Sequence, residues 1–211
     1  MSLQHLQPFQ VDPNRVERQE IDRLVATISS NSKIGEIQGL LNRNISLCAY
    51  LFNAYVDYDE IYFLSSNLIA NEDNRPDYIC GCFSYREGIS WHIIMCAGSQ
   101  EQTWDDELQL TPAAKLAFDK LHYCTNNLAR VLVENNLIEE VDPDSINGLL
   151  IIGQDREFFN NRKKQERKRD INQNSLVKLR TYGAFLRKFN KHHKQSWLNT
   201  PVADLIGKLR K

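Results

Sequence analysis

RPDYICGCFSYREGISWHIIMC, residues 75–96, decides what kind of sheet this chain can build. Tyr78 to Tyr85 and Ser90 to Cys96 are β-rich runs, and Arg86-Glu-Gly-Ile89 turns the chain between them, so the stretch predicts a hairpin. The second run is almost wholly apolar, as expected for a strand covered on both faces. Such a strand needs helices above and below it. Upstream, Glu17 to Ser30 carries Ile21, Leu24, Val25 and Ile28 at helical spacing. A second helix is expected from about Ser32, with Ile34, Ile37, Leu40 and Leu41 on one face and Glu36 beside it. Ile45 to Val56 is apolar and reads as a continuation of helix, and Ile61 to Ile69 is short and β-rich.

Downstream, Gly98 to Leu110 is a polar loop. Thr111 then caps a long helix with Pro112 at its first position, running to about Asn135. Asp142-Pro143-Asp144 is a turn, and Asn147-Gly148 leads into a strand, Leu149 to Ile152. A basic helix follows from Arg156 to about Asp170, then a strand from Leu176 to Thr181 and a helix from Tyr182 to Phe189. Val202, Leu205, Ile206 and Leu209 predict a helical end after Thr200-Pro201. The order predicts an α/β fold, a central mixed β-sheet flanked by helices. The expected organisation is an N-terminal helical extension over 1–31, an α/β domain over 32–189 and a basic C-terminal helical tail over 190–211.

The net charge of -1 conceals a strong asymmetry. From Asn160 onward there are 15 Lys and Arg against three acids, leaving 11 against 24 before it, so the parts carry about -13 and +12. That separation can steer a polyanion to the basic end or pair one copy with another. The densest cations, Arg162, Lys163, Lys164, Arg167, Lys168 and Arg169, are spread over several faces of their predicted helix. They are the expected nucleic-acid-binding residues, with DNA the favoured partner over RNA and a homo-oligomer also expected. Phe158, Phe159, Tyr182 and Phe185 follow the apolar pattern and are expected in the core. No apolar run reaches the ~20 residues of a membrane span, and no secretory signal pattern opens the chain. Five cysteines (Cys48, Cys80, Cys82, Cys96 and Cys124), four of them in apolar stretches, fit reduced, buried thiols in a cytoplasmic protein.

A metal-dependent phosphodiesterase needs two or more carboxylates on Mg²⁺ and a base or lysine near the attacking water. One arrangement places an acid at the start of a hairpin and an E-x-K on its second strand, where period two turns both residues to one face. Asp77 supplies the first acid. Met95 and Ala97 stand where the glutamate and lysine belong, and neither can hold Mg²⁺ or orient water.

Four segments together resemble the Shedu-type nucleases. GEIQGLL (residues 35–41) is similar to that family's N-terminal helix, and RPDYI (75–79) to its R-P-D-[FY] start of the catalytic hairpin. LLIIGQDREF (149–158) and KLRTYGAFLRKF (178–189) resemble its C-terminal strand, helix and T-Y-D segments. The resemblance spans roughly residues 32–189. It implies a restriction-endonuclease-like PD-(D/E)xK fold, Mg²⁺-dependent DNA cleavage, bacterial defence against phage, and oligomers. Of its catalytic set, Glu36 and Asp77 carry over as metal-binding carboxylates. Its helix glutamine falls near Lys120, and its T-Y-D aspartate is Gly183. Lys120, or Lys115, on the helix after the active-site strand is the replacement for the missing lysine, and Glu101 replaces the glutamate only if its loop folds back.

The expectation is a nuclease-fold protein that binds nucleic acid with impaired catalysis. An active Mg²⁺-dependent endonuclease and a non-catalytic assembly module stand as alternatives, and Mg²⁺ is expected only if the site is active. Asp77 can equally cap a turn, and Glu36 can be a solvated helix residue. His92 fits a core histidine, His122 has no paired histidine at a useful spacing, and His192-His193 is expected to face solvent in the basic tail. No G-x-S-x-G elbow, Walker A or G-x-G-x-x-G loop is present.

Overall fold

In a computed structural model of the chain, residues 3–30, 33–69, 72–159 and 161–189 are described. The predicted helical end over 202–209 and the two histidines at 192 and 193 lie outside them. The strands are β1 (Gln10–Val11), β2 (Glu60–Leu64), β3 (Tyr78–Ser84), β4 (Gly88–Cys96), β5 (Ile146–Ile151) and β6 (Val177–Arg180). The helices are α1 (Arg18–Ser29), α2 (Ile34–Arg43), α3 (Ile45–Phe52), α4 (Pro112–Glu134) and α5 (Arg162–Asn174), followed by α6 over residues 182–189.

All six strands join one sheet in chain order. β1 to β4 pair antiparallel, whereas β4, β5 and β6 run parallel. Parallel neighbours require crossovers, which α4 and α5 supply. The fold is therefore α/β, a central six-stranded mixed sheet packed against helices.

Alternation along the strands makes two cores. Ile79, Trp91, Ile93, Leu150 and Leu179 face α4 with Leu121, Leu128 and Leu132. Cys80, Cys82, Ile94, Cys96, Leu149 and Ile151 face the other way, against Leu24, Ile28, Ile37, Leu41, Leu51, Tyr182 and Phe185. The large Trp91 ring fits because Gly81 lies opposite it, where a Cβ would sit 3.0 Å from the ring. Segment 1–31 contributes the edge strand β1 and two core residues of α1, Leu24 and Ile28.

Several boundaries differ from the sequence reading. Asn44 separates α2 from α3: its backbone is extended, and its side chain caps α3 by accepting from the amides of Ser46 and Leu47. Helix α5 begins at Arg162, because Asn161 caps it by accepting from the Lys164 amide at 3.1 Å. Residues 155–157 form only a short 3-10 turn. Asn147 and Gly148 lie inside β5, where Val177 would stand 2.9 Å from any Cβ at position 148. β2 stops at Leu64, and Ser65 caps a 3-10 turn by accepting from the Asn67 amide. Among the described residues no helix is long and apolar enough to cross a membrane.

Candidate functional site

Asp77 sits at the start of β3, half-buried, with its own amide donating to Ile94 O at 3.1 Å. Its Oδ2 accepts from the Cys96 amide at 2.6 Å, and its Oδ1 accepts from Gln38 Nε2 at 2.8 Å. The carboxylate thus closes the last rung of the β3–β4 ladder in place of a backbone carbonyl. Burial pushes its pKa up from the ordinary aspartate value. The Cys96 amide, Gln38 and the nearby charge of Lys120 pull the other way and offset only part of that rise. Lys120 is half-buried on α4.

Gln38, rather than Glu36, is the α2 residue that reaches Asp77. Two positions on a helix are about 200° apart, so Glu36 projects elsewhere, exposed, in the first turn of α2. A carboxylate there suits the positive end of the helix dipole. Met95 and Ala97 are half-buried and pack on the α4-side core. Among the described residues, no group of three or more His, Cys, Asp or Glu can hold a metal ion. Asp77 already accepts from two N–H donors and belongs to no such group among the described residues, so this donor set does not fit Mg²⁺.

The thiols and His92 are buried. All five cysteines are free and buried. Burial pushes Cys48 up to about 12 and Cys124 up to about 11, so neither is a thiolate near neutral pH. His92 is buried, its Nε2 3.0 Å from Ser90 Oγ, and desolvation lowers its pKa to about 4. It is a neutral core histidine.

On α5 the six cations divide. Arg162, Lys163, Arg167 and Arg169 are exposed, and Arg162 pairs with Glu166 one turn on at 2.8 Å. Lys164 turns inward instead. Its Nζ donates to Trp104 O at 2.9 Å and lies 3.4 Å from Glu157 Oε1, with the two side chains only 10% and 7% exposed. Glu157 in turn accepts from the amides of Thr103 and Trp104, both at 2.9 Å. This buried pair fastens the 98–110 loop to α5 and takes Lys164 out of reach of a phosphate. Lys168, one turn along, lies half-buried over the Phe158 ring at 4.3 Å to the centroid. Burial and the neighbouring Arg180 lower its pKa to about 8, against a smaller opposing effect of Glu157.

Phe158, Tyr182 and Phe185 are buried as expected, but Phe159 is 68% exposed. Gly183 has its own reason. A Cβ there would run into the Asp155 carboxylate, which accepts from Thr181 and pairs with Arg187. An acid from the loop after β5 thus occupies the space beside position 183. Gln38, Glu157 and Asp155 escaped the sequence reading, and only Gln38 left a trace there, as the polar residue between Ile37 and Leu41 on an apolar face.

No protein-family model matches the chain, and neither does any curated protein or solved structure.

Proposed function

We propose that this protein binds nucleic acid on a restriction-endonuclease-like scaffold, of Shedu type, whose catalytic site has degenerated. The observation that carries the reading is the outer face of α5, where Arg162, Lys163, Arg167 and Arg169 stand exposed on one helix. Lys163, Arg167 and Arg169 have no ion-pair partner among the described residues. Clustered cations that hold phosphates release condensed counterions, so their affinity falls steeply with salt. DNA is the favoured ligand and a homo-oligomer the favoured state, in keeping with the charge separation along the chain. A place in bacterial defence against phage belongs to the same reading and rests on the four resembling segments.

The strand end supports the degenerate-site reading. Asp77 is engaged by Gln38 and the Cys96 amide, while Met95 and Ala97 offer no ligand. The charge of Lys120 acts on Asp77, but the described residues offer no metal-binding group for it to complete.

The test titrates labelled duplex and single-stranded DNA with the full-length protein over a range of salt. Tight binding at low salt and a steep negative slope are expected, flattened when Arg162, Lys163, Arg167 and Arg169 are all changed to alanine. The same protein incubated with plasmid in Mg²⁺ or Mn²⁺ is expected to yield no product. Metal-dependent nicking that disappears in Asp77→Ala would overturn the degenerate-site reading. A salt-sensitive oligomer without DNA affinity would replace the whole reading with an assembly role.

A further inference from the structure

A cavity of about 430 Å³ opens between the loop after β5, helix α5 and helix α6. Phe158, Phe159, Lys168, Arg169, Arg187 and Asp155 are among its lining residues. One aromatic ring, Phe159, stands 68% exposed at its wall, where a ring of that size loses free energy to water. Three cations line the same space against one acid, and that acid is already paired with Arg187 and bonded by Thr181. An apolar peptide would leave the cations unmatched, and a free inorganic anion would leave the ring uncovered. A ligand that satisfies both is flat, aromatic and attached to negative charge.

We infer that this cavity receives one unpaired base of a single-stranded nucleic acid, stacked on Phe159, with the adjoining phosphates held by Arg169 and Lys168. The inference rests on the nucleic-acid-binding reading above and deepens it. A base inside a duplex has both faces covered by its neighbours, so only a single strand offers a face to the ring. Lys168 is set for this task, since it lines the cavity and its ammonium is held 4.3 Å from the centroid of the Phe158 ring in the same lining. The exposed cations of α5 continue from Arg169 and can follow the strand's backbone outward.

The experiment compares wild type, Phe159→Ala and Phe159→Trp for binding to labelled oligo-dT, oligo-rU and a DNA duplex, with melting curves to establish that each variant is folded. Phe159 is exposed, so its replacement is expected to leave the melting temperature in place. Phe159→Ala is expected to weaken single-strand binding roughly tenfold or more, leaving duplex affinity and the salt slope unchanged. Oligo-dT and oligo-rU report whether DNA, RNA or both supply the base. In Phe159→Trp, indole fluorescence beyond the wild-type signal is expected to be quenched by the single strands and unaffected by the duplex. Single-strand affinity unchanged in Phe159→Ala, or an unquenched indole in Phe159→Trp, would overturn the stacking inference while leaving nucleic-acid binding standing. Binding of duplex alone would overturn it in the same way. Absence of binding to all three would remove the inference and the functional reading together.

Discussion

The strand end at Asp77 and the outer face of α5 both carry charge, and they use it in opposite ways. At the strand end the polar atoms face inward and meet protein partners, with Gln38 and the Cys96 amide on the two carboxylate oxygens. On α5 the cations point to solvent, except Lys164 and, in part, Lys168. The difference teaches that the density of charged or catalytic residue types is a poor guide to where ligands go. What matters is whether the folded chain has already satisfied them. Lys164 makes the point within a single helix, since it belongs to the densest basic run and yet is a structural cation.

The sharpest way to break this contrast is to remove Glu157. Glu157→Ala strands the buried Lys164 ammonium and two loop amides, and a loss of about 3–5 kcal/mol is expected in chemical denaturation. A loss below about 1 kcal/mol would mean that Lys164 reaches solvent and belongs with the outer cations.

Asp77 offers the next largest effect. Asp77→Ala leaves the Cys96 amide and Gln38 without an acceptor and is expected to cost about 1–3 kcal/mol. Asp77→Asn keeps an acceptor for the amide, and Gln38 can rotate its own amide to match, so its cost should be much smaller. The pH dependence has a definite sign. Because burial raises the folded-state pKa of Asp77, the folded protein binds that proton more tightly. Its contribution to stability therefore falls as pH rises from the ordinary aspartate value to the raised one, and Asp77→Asn should abolish that slope.

Lys168 tests the ligand side. Its pKa of about 8 means that it loses charge as pH rises through that value, so nucleic-acid affinity should decline there. The decline should be under about tenfold, because one phosphate contact among several is lost. Lys168→Arg should remove the pH dependence. The smallest expected effect is on stability at the outer face. Arg167→Ala should leave it within about 0.5 kcal/mol while lowering the salt slope of binding by roughly one.

The sheet and both helical layers were legible because their signals are local and periodic. The run SWHIIMC read as a strand covered on both faces and is one, β4, and Thr111-Pro112 marked the start of α4 to the residue. The start of α5 was not, because residues 156–161 carry no apolar period and the cap depends on the Asn161 side chain alone. β1 is two residues long and shows no pattern at all. At the candidate sites, Asp77 was visible through its place before a hairpin. Its partner Gln38 lies 39 residues away in sequence and is brought to it only by the packing of α2. Burial of Lys164 is likewise decided by Trp104, 60 residues distant, which no local composition reveals.

The change from antiparallel to parallel pairing at β4 has a consequence for how the chain reaches this structure. β2, β3 and β4 meet through neighbours close in sequence, and such pairings close with little loop entropy. β5 can join β4 only after the polar loop and all of α4 have been laid across the sheet, and β6 then waits for α5. Contacts of that separation form slowly. β4 is thus the seam between the short-range pairings of β2 to β4 and the long-range pairings that bring in β5 and β6.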